Sequence, residues 1–267
     1  MADWDPELYR RFQHYRAEPV ELILARLRIG PAERIADLGC GSGENTVELA
    51  RRSAGGSAAG IDSSPAMIDR ALKLRATLAS DLAGRVSFSL GDFRNFNADC
   101  EYTIVFSNAA LQWVGGHREV LSACYRALRP GGQLVVQIPA NERETAQVMI
   151  QAMAAQAPWS ASLGAVKTPS NSNVSGPEVY RAMLDEIGFV DVDCHYHTFH
   201  HPMQSPAEVI EFYSATGLRP FLERLAPQEQ GSFIAELKRR LEAAYGTKEA
   251  LTFDFRRLFL WARRPPD

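Results

Sequence analysis

The sequence has little that would tie it to a metal, a nucleic acid or a membrane. Its four cysteines, Cys40, Cys100, Cys124 and Cys194, are far apart and form no CxxC pair. That argues against a zinc cluster or a disulfide framework and for a reduced, cytoplasmic protein. Basic excess is also missing: 29 Lys and Arg stand against 32 Asp and Glu, a formal charge of −3. General nucleic-acid binders show a basic face, so none is expected as a partner, and an anionic ligand must find locally placed arginines. No stretch approaches the roughly 18 uninterrupted apolar residues of a membrane span, and no membrane partner is expected. The opening residues MADWDPELYRRF carry acids and arginines where a signal peptide needs an apolar run. No heptad or apolar edge indicates an oligomeric state.

What is present is an ordinary globular composition, 46% apolar and 23% charged over 267 residues, enough for a single large α/β domain spanning 1–267. Asp5-Pro6 reads as a helix cap with Pro at N1, followed by a helix through Arg16 and another from Pro19 to Arg28. Short apolar strands are expected at 34–38, 58–62, 86–90, 102–107 and 133–138. Helices at 45–52, 65–78 and 118–128 fall among them, and Pro130-Gly-Gly132 reads as a turn. This alternation predicts a doubly wound, mostly parallel sheet with right-handed crossovers. Beyond it come a helix at 142–157, a long Ser/Gly/Asn/Pro-rich loop at 158–177, and a helix at 178–186. A strand at 190–200 follows, then helices at 205–218 and 227–245, and a last, antiparallel strand at 251–262. That makes about seven strands with helical cap insertions.

The segment ADLGCGSGEN, 36–45, places Gly39, Gly41 and Gly43 between a parallel strand and a helix N-terminus. A plain β–α turn rarely needs three glycines. A loop that lets a ligand approach the backbone does, and the helix amides there favour an electron-rich group. Asp37 precedes the loop. Asp62 ends the second strand, where a carboxylate can accept both ribose hydroxyls, and Asp92 ends the third, where it can accept from an adenine amino group. The GxGxG spacing differs from the GxGxxG of nicotinamide enzymes. A ligand with a ribose and adenine but no pyrophosphate suits this set better than a dinucleotide.

At these residues the chain resembles the class I S-adenosylmethionine-dependent methyltransferases, with their Rossmann-like fold. Asp37-x-Gly39-x-Gly41-x-Gly43 resembles their first motif, Asp62 their ribose acid and Gly91-Asp92-Phe93 their adenine motif. DWDPELY at 3–9, GIDSSPAMI at 60–68, SNAALQWV at 107–114, ATGLRP at 215–220 and RRLFLWARR at 256–264 resemble the trans-aconitate methyltransferases along nearly the whole chain. Arg256 departs from the proline expected there. The resemblance implies S-adenosylmethionine as cofactor, S-adenosylhomocysteine as product, and a small polycarboxylate as substrate. It implies cofactor binding by Arg16, Asp37, Gly39, Gly41, Gly43, Asp62, Ser63, Met67, Gly91, Asp92, Phe93 and Asn108. It divides the chain into an N-terminal helical lid (1–30), a cofactor-binding core (31–140) and C-terminal strands with a helical substrate cap (141–267). Segments 1–18 and 158–176 are expected to order on binding.

The implied reaction transfers a methyl group to a carboxylate of trans-aconitate. That carboxylate is already ionised at neutral pH, so positioning replaces a general base. Arg219, just after Gly217, reads either as a substrate clamp or as an arginine satisfying helix carbonyls. Arg257, on the last strand, reads as a supporting clamp or as a solvated strand residue. Tyr9 can close over the site with Arg16, or pack. Trp113 can wall off the sulfonium or sit in the core, and His117 can donate to a carboxylate or cap a helix at the surface. In HYHTFHH, 195–201, no carboxylate or cysteine stands at ligand spacing, so no metal is expected and His201 is kept as a carboxylate donor. Cys40 reads as a small residue, or as a thiol acidified by the helix N-terminus. Another methyl acceptor (a different carboxylate, a phenol or a carbon acid) and a non-catalytic nucleotide-binding module are the competing readings.

Overall fold

The computed structural model describes residues 12–164, 166, 173–214, 217–246 and 250–267. Chain contacts divide it into two compact units. Unit one takes in 1–18, 140–172 and 198–257; unit two takes in 19–139, 173–197 and 258–267. One division between the units falls at 139/140. The segment from 173 to 197 and the last strand from 258 onward belong to the nucleotide-loop unit, whereas 251–257 of that strand belong to unit one.

Unit two is built on parallel strands β1 (Arg34–Leu38), β2 (Ser57–Asp62), β3 (Val86–Leu90), β4 (Tyr102–Asn108) and β5 (Leu128–Pro139). With β6 (Val190–Met203) and β7 (Leu251–Arg263) the sheet order is β3-β2-β1-β4-β5-β7-β6. β1 pairs β2 from Arg34↔Ser57 and β4 from Ile35↔Ile104, both in parallel. Ile35, Ala36, Ile104, Val105 and Phe106 are each at most 1% exposed, which explains their unbroken apolar runs. Gly131 N–H donates to Arg264 O (3.0 Å), Arg264 N–H to Gly132 O (2.9 Å) and Ala140 N–H to Arg256 O (3.0 Å). The numbers run in opposite directions, so β7 is antiparallel to β5.

Helices α1 (Gln13–Arg26), α2 (Glu44–Arg52), α3 (Pro65–Ala76), α4 (Ser80–Gly84) and α5 (His117–Ala127) precede β5. α3 shows its start in the sequence: Ser64 caps it, accepting from Met67 N–H, and Pro65 takes the first turn. After β5 come α6 (Thr145–Ala154), α7 (Ser160–Leu163) and α8 (Pro177–Ile187), then α9 (Pro206–Ser214), α10 (Arg219–Leu222) and α11 (Pro227–Tyr245). α8 ends at Gly188, whose φ of +107° is a left-handed helix stop.

In unit one, β6 and β7 form a ribbon with two unlike faces. Phe199, His201, Met203, Phe253, Phe255 and Arg257 are buried, whereas the intervening residues are exposed or partly so. Phe212 of α9 packs on Phe253 (5.2 Å between ring centres), Phe255 (5.3 Å) and Phe12 (5.5 Å). β6 is an edge strand. It carries Pro202, Asp191 and Asp193, and its Pro202 carbonyl accepts from Tyr15 Oη at 2.7 Å.

Three expectations need correcting. The break at Pro19 is absent: α1 runs through it, and the proline ring is buried. Pro130-Gly-Gly132 is not a free turn but an irregularity inside β5, where pairing steps from Tyr102↔Leu128 to Ile104↔Gln133. The extra residues bulge out, with Gly131 at φ +77°. The long loop after Pro158 contains the helical turn α7, and the rest of the expected lid at 1–11, 165 and 167–172 lies outside the described residues. Among the described residues no helix is long and apolar enough to cross a membrane.

Candidate functional site

The nucleotide loop of unit two is held from behind and open in front. Gly39 and Cys40 N–H groups both donate to Ile61 O, at 2.8 and 3.0 Å, which ties the loop to β2. Gly39 has φ +76°, and a Cβ there would stand 2.2 Å from the Ala110 Cβ, so only glycine fits. Gly41 has φ +55°, yet a Cβ there would meet nothing within 4 Å. It is the position where a ligand can reach the backbone. Gly43 caps α2 without a side-chain hydrogen bond, so the first-turn amides keep their donors for a ligand.

Asp62 braces this loop. Its Oδ2 accepts from Gly41 N–H and its Oδ1 from Ser64 N–H, both at 2.9 Å. Each oxygen keeps a second lone pair, as a ribose diol requires. Ser63 follows in the bend to α3, and Met67 lies in that helix's first turn. Asp37 is buried and accepts from Thr46 Oγ1 at 2.6 Å. Burial pushes its pKa up to about 7, the Thr46 hydrogen bond opposes this, and neighbouring Asp62 adds to it. Asn108 ends β4 beside Gln137 of β5, and its buried Oδ1 has no hydrogen-bond partner among the described residues. Open space at Gly41, uncapped amides and an orphaned acceptor fit a ligand with a diol and an aminoacyl end.

Asp92 follows Gly91 and caps the 3-10 turn 93–95, accepting from Arg94 N–H at 2.9 Å. The Arg94 guanidinium also bonds it, Nε at 2.8 Å, and holds the carboxyl below the usual range. Phe93 is buried beneath Gly39. Cys40 is not activated: burial, then Asp37 and Asp62, push its thiol up. Trp113 is 66% exposed on the turn after β4, which removes the core reading.

His117 is a correction. It is buried rather than at the surface, with Nδ1 2.6 Å from Tyr180 Oη and Nε2 3.0 and 2.9 Å from the carbonyls of Leu111 and Val114. Carbonyls only accept, so Nε2 carries the proton and Nδ1 accepts from Tyr180. Burial lowers its pKa, and neither nitrogen is left for a substrate.

Unit one redistributes the arginines. Arg219 was the expected chief clamp, but its side chain is 57% exposed and its Nε is paired with Glu223 at 2.6 Å, one turn along α10. An exposed i,i+4 pair of this kind is a surface feature. Arg257 is instead only 7% exposed, with its guanidinium 3.6 Å over the Phe255 ring, so the solvated reading fails. His201 is 1% exposed and stacked on Tyr15 at 4.0 Å. Burial first, then the charges of His14, Arg257 and His200, lower its pKa to about 4, so it is neutral near pH 7. Tyr9 and the side chain of Arg16 lie outside the described residues.

Sequence reading missed Glu144. It caps α6 and is buried, with Oε2 accepting from Ala146 N–H (2.9 Å), Gln147 N–H (3.4 Å) and Tyr213 Oη (3.1 Å), and Oε1 from Tyr245 Oη (3.1 Å). Burial raises its pKa against those hydrogen bonds. Thr198, Thr252, Asp254 and Arg256 on the polar ribbon face border a cavity of about 310 Å³. Two of its charged residues are paired: Arg256 binds Glu142 (2.6 Å) and Ala140 O (3.0 Å), and Asp254 binds His200 (2.7 Å). Among the described residues no cluster of His, Cys, Asp and Glu could hold a metal ion.

Comparison with known proteins adds four findings. Residues 35–132 match the family model described as a methyltransferase domain. The chain is 36% identical over 272 residues to a trans-aconitate 2-methyltransferase of Paracidovorax citrulli, covering 99% of each protein. It is also 36% identical over 266 residues to the enzyme of that name from Escherichia coli O1:K1, again 99% of each. A solved structure of Haemonchus contortus phosphoethanolamine N-methyltransferase 2 in complex with S-adenosyl-L-methionine matches with a TM-score of 0.57 at 16% identity. It covers 93% of this chain and 52% of that one, a likeness of fold alone.

Proposed function

The chain belongs to the trans-aconitate 2-methyltransferase family, and we propose from this that it transfers a methyl group to one carboxylate of trans-aconitate, releasing the monomethyl ester. The observation that carries the reading is the extent of the similarity. It covers 99% of the chain, whereas the generic methyltransferase domain ends at 132. The residues of unit one, where acceptor choice would lie, are therefore included.

S-adenosylmethionine, when bound, supplies the activated methyl. The chain's part is to hold it through Gly39, Gly41 and Gly43, the Asp62 carboxylate, the Asn108 side chain and the buried Asp37. Ser63, Met67, Gly91, Asp92, Phe93 and Arg16 are the further candidates, and Trp113 and Tyr9 the candidates for closing over the reacting groups. The acceptor carboxylate is ionised at neutral pH and needs no proton removed. No general base is assigned; Arg257 offers charge and His201 a neutral imidazole to a polycarboxylate. Free cysteines and a small-molecule acceptor suit a cytoplasmic enzyme.

Incubation with labelled S-adenosylmethionine and a panel of di- and tricarboxylic acids tests the reading. Label should pass to trans-aconitate as a monoester. Transfer to a phenol or carbon acid with none to trans-aconitate would overturn it.

A further inference from the structure

The side-chain amide of Gln147 and the indole of Trp159, both buried in unit one, carry N–H groups (Nε2 and Nε1) without an acceptor among the described residues. An amide NH₂ and an indole N–H can only donate. Burying such a donor unpaired is unfavourable, and native proteins nearly always avoid it. Orphaned donors beside a buried cation describe a place shaped for an acceptor.

Gln147 has that setting. It is 6% exposed, in the first turn of α6, where its own backbone N–H is taken by Glu144. Glu144 does not serve the side chain as well: its hydrogen bonds come from the Ala146 and Gln147 N–H groups, Tyr213 and Tyr245. Gly217 lets the chain pass close by: a Cβ there would stand 2.6 Å from Tyr213 Cδ1 and 3.6 Å from Gln147 Oε1, which places Gln147 beside Tyr213. Tyr213 packs on Phe253 (5.8 Å between ring centres) and Phe253 on Phe255 (6.1 Å); Arg257 lies 3.6 Å over that Phe255 ring and His201 5.5 Å from it. Gln147, Tyr213, Arg257 and His201 therefore form one neighbourhood within unit one. Among the described residues Arg257 is its one buried arginine or lysine. One guanidinium forks onto one carboxylate, and a trianion has others to satisfy. A neutral amide can take one of them without burying a second charge.

We propose that Gln147 is an acceptor-binding residue, its side-chain amide donating to a substrate carboxylate other than the one held by Arg257. This rests on the reading of the acceptor as a polycarboxylate.

The test is Gln147→Met, which keeps the volume and removes the donor, with Gln147→Glu as the second variant. Gln147→Met should raise the KM for trans-aconitate about ten-fold or more, as expected for losing a hydrogen bond to a charged group, with kcat little changed. S-adenosylhomocysteine affinity should be unchanged. The ligand-free melting temperature should be equal or higher, because an unsatisfied buried donor has gone. Gln147→Glu should raise KM at least as much, since an anion then faces an anion. A purely structural glutamine would give the opposite pattern, a lower melting temperature with KM unmoved, and that result overturns the proposal. So does a Gln147→Glu enzyme that binds trans-aconitate as well as the wild type. If the wild-type chain methylates a different carboxylic acid, the proposed acceptor falls but not this residue, whose variants are then read on that acid.

Discussion

Replacing Asp62 should damage the protein twice, and the two losses can be separated. The carboxylate accepts from the Gly41 and Ser64 amides, each at 2.9 Å, before any ligand arrives. A hydrogen bond to a charged group contributes about 1.5–3 kcal/mol. Asp62 is half-buried, so the lower end applies, and Asp62→Ala should remove about 3 kcal/mol of ligand-free stability. For a chain of this size that is a fall of about 6–12 °C in melting temperature. Asp62→Asn keeps one acceptor oxygen and turns an NH₂ towards the other amide, so it should lie between alanine and wild type. Cofactor affinity should fall further than loop loosening alone explains, because the ribose also loses a charged acceptor, by about ten-fold or more. Scanning calorimetry without ligand measures the first loss, and titration with S-adenosylhomocysteine measures the second. An Asp62→Ala protein that melts with the wild type would refute the tether. One that melts early yet binds S-adenosylhomocysteine normally would refute the ribose assignment.

Other outcomes follow from the buried charges. Asp37 titrates near 7 when folded, against an ordinary 3.8, so the folded chain holds a proton the unfolded chain has released. Stability should therefore decline from about pH 4 to pH 7, by up to about 4 kcal/mol, and Asp37→Asn should gain most over wild type above pH 7 in ligand-free melts. A gain independent of pH would contradict this. His201 has the opposite sign: lowered from 6.5 to about 4, it contributes stability that is lost as pH falls through that window. His201→Phe should lose less stability than wild type between pH 6.5 and 4; identical acid profiles would count against a neutral buried imidazole. Arg219→Ala should leave trans-aconitate KM unchanged and stability within about 0.5 kcal/mol, as for exposed pairs, whereas Arg257→Met should raise KM about ten-fold or more. Steady-state kinetics on the two variants decides between them, and the reverse ranking would return the clamp to Arg219.

The nucleotide half of the site was legible because its determinants are local. Three glycines at alternate positions, an acid before them and an acid ending the next strand state their backbone demands within 27 residues, 36–62. Strand β1 and helix α11 match their expected spans to the residue for the same reason: short apolar runs and a Pro start carry the signal. The acceptor half was not legible. Arg257 is buried because its ribbon face packs on Phe212 and Arg219 is exposed because it lies on a helix turn paired with Glu223; both read alike in the sequence as charged residues. His117 looked like a surface cap because its partner Tyr180 lies 63 residues away. Glu144 looked like one acid in the run NERET; only the fold brings Tyr213 and Tyr245 to it.

The edge strand β6 bears on how this protein behaves when crowded. An exposed strand edge presents free backbone groups that a second chain can extend, which is a common route to aggregation. β6 is poorly suited as a template. Pro202 supplies no N–H, its carbonyl is taken by Tyr15, and Asp191 and Asp193 are tied to Arg263 and Arg26. Removing these guards, for example through Pro202→Val together with Asp191→Val, would leave a longer apolar edge. The solubility of such a variant at high concentration, more than its activity, is where the change should register.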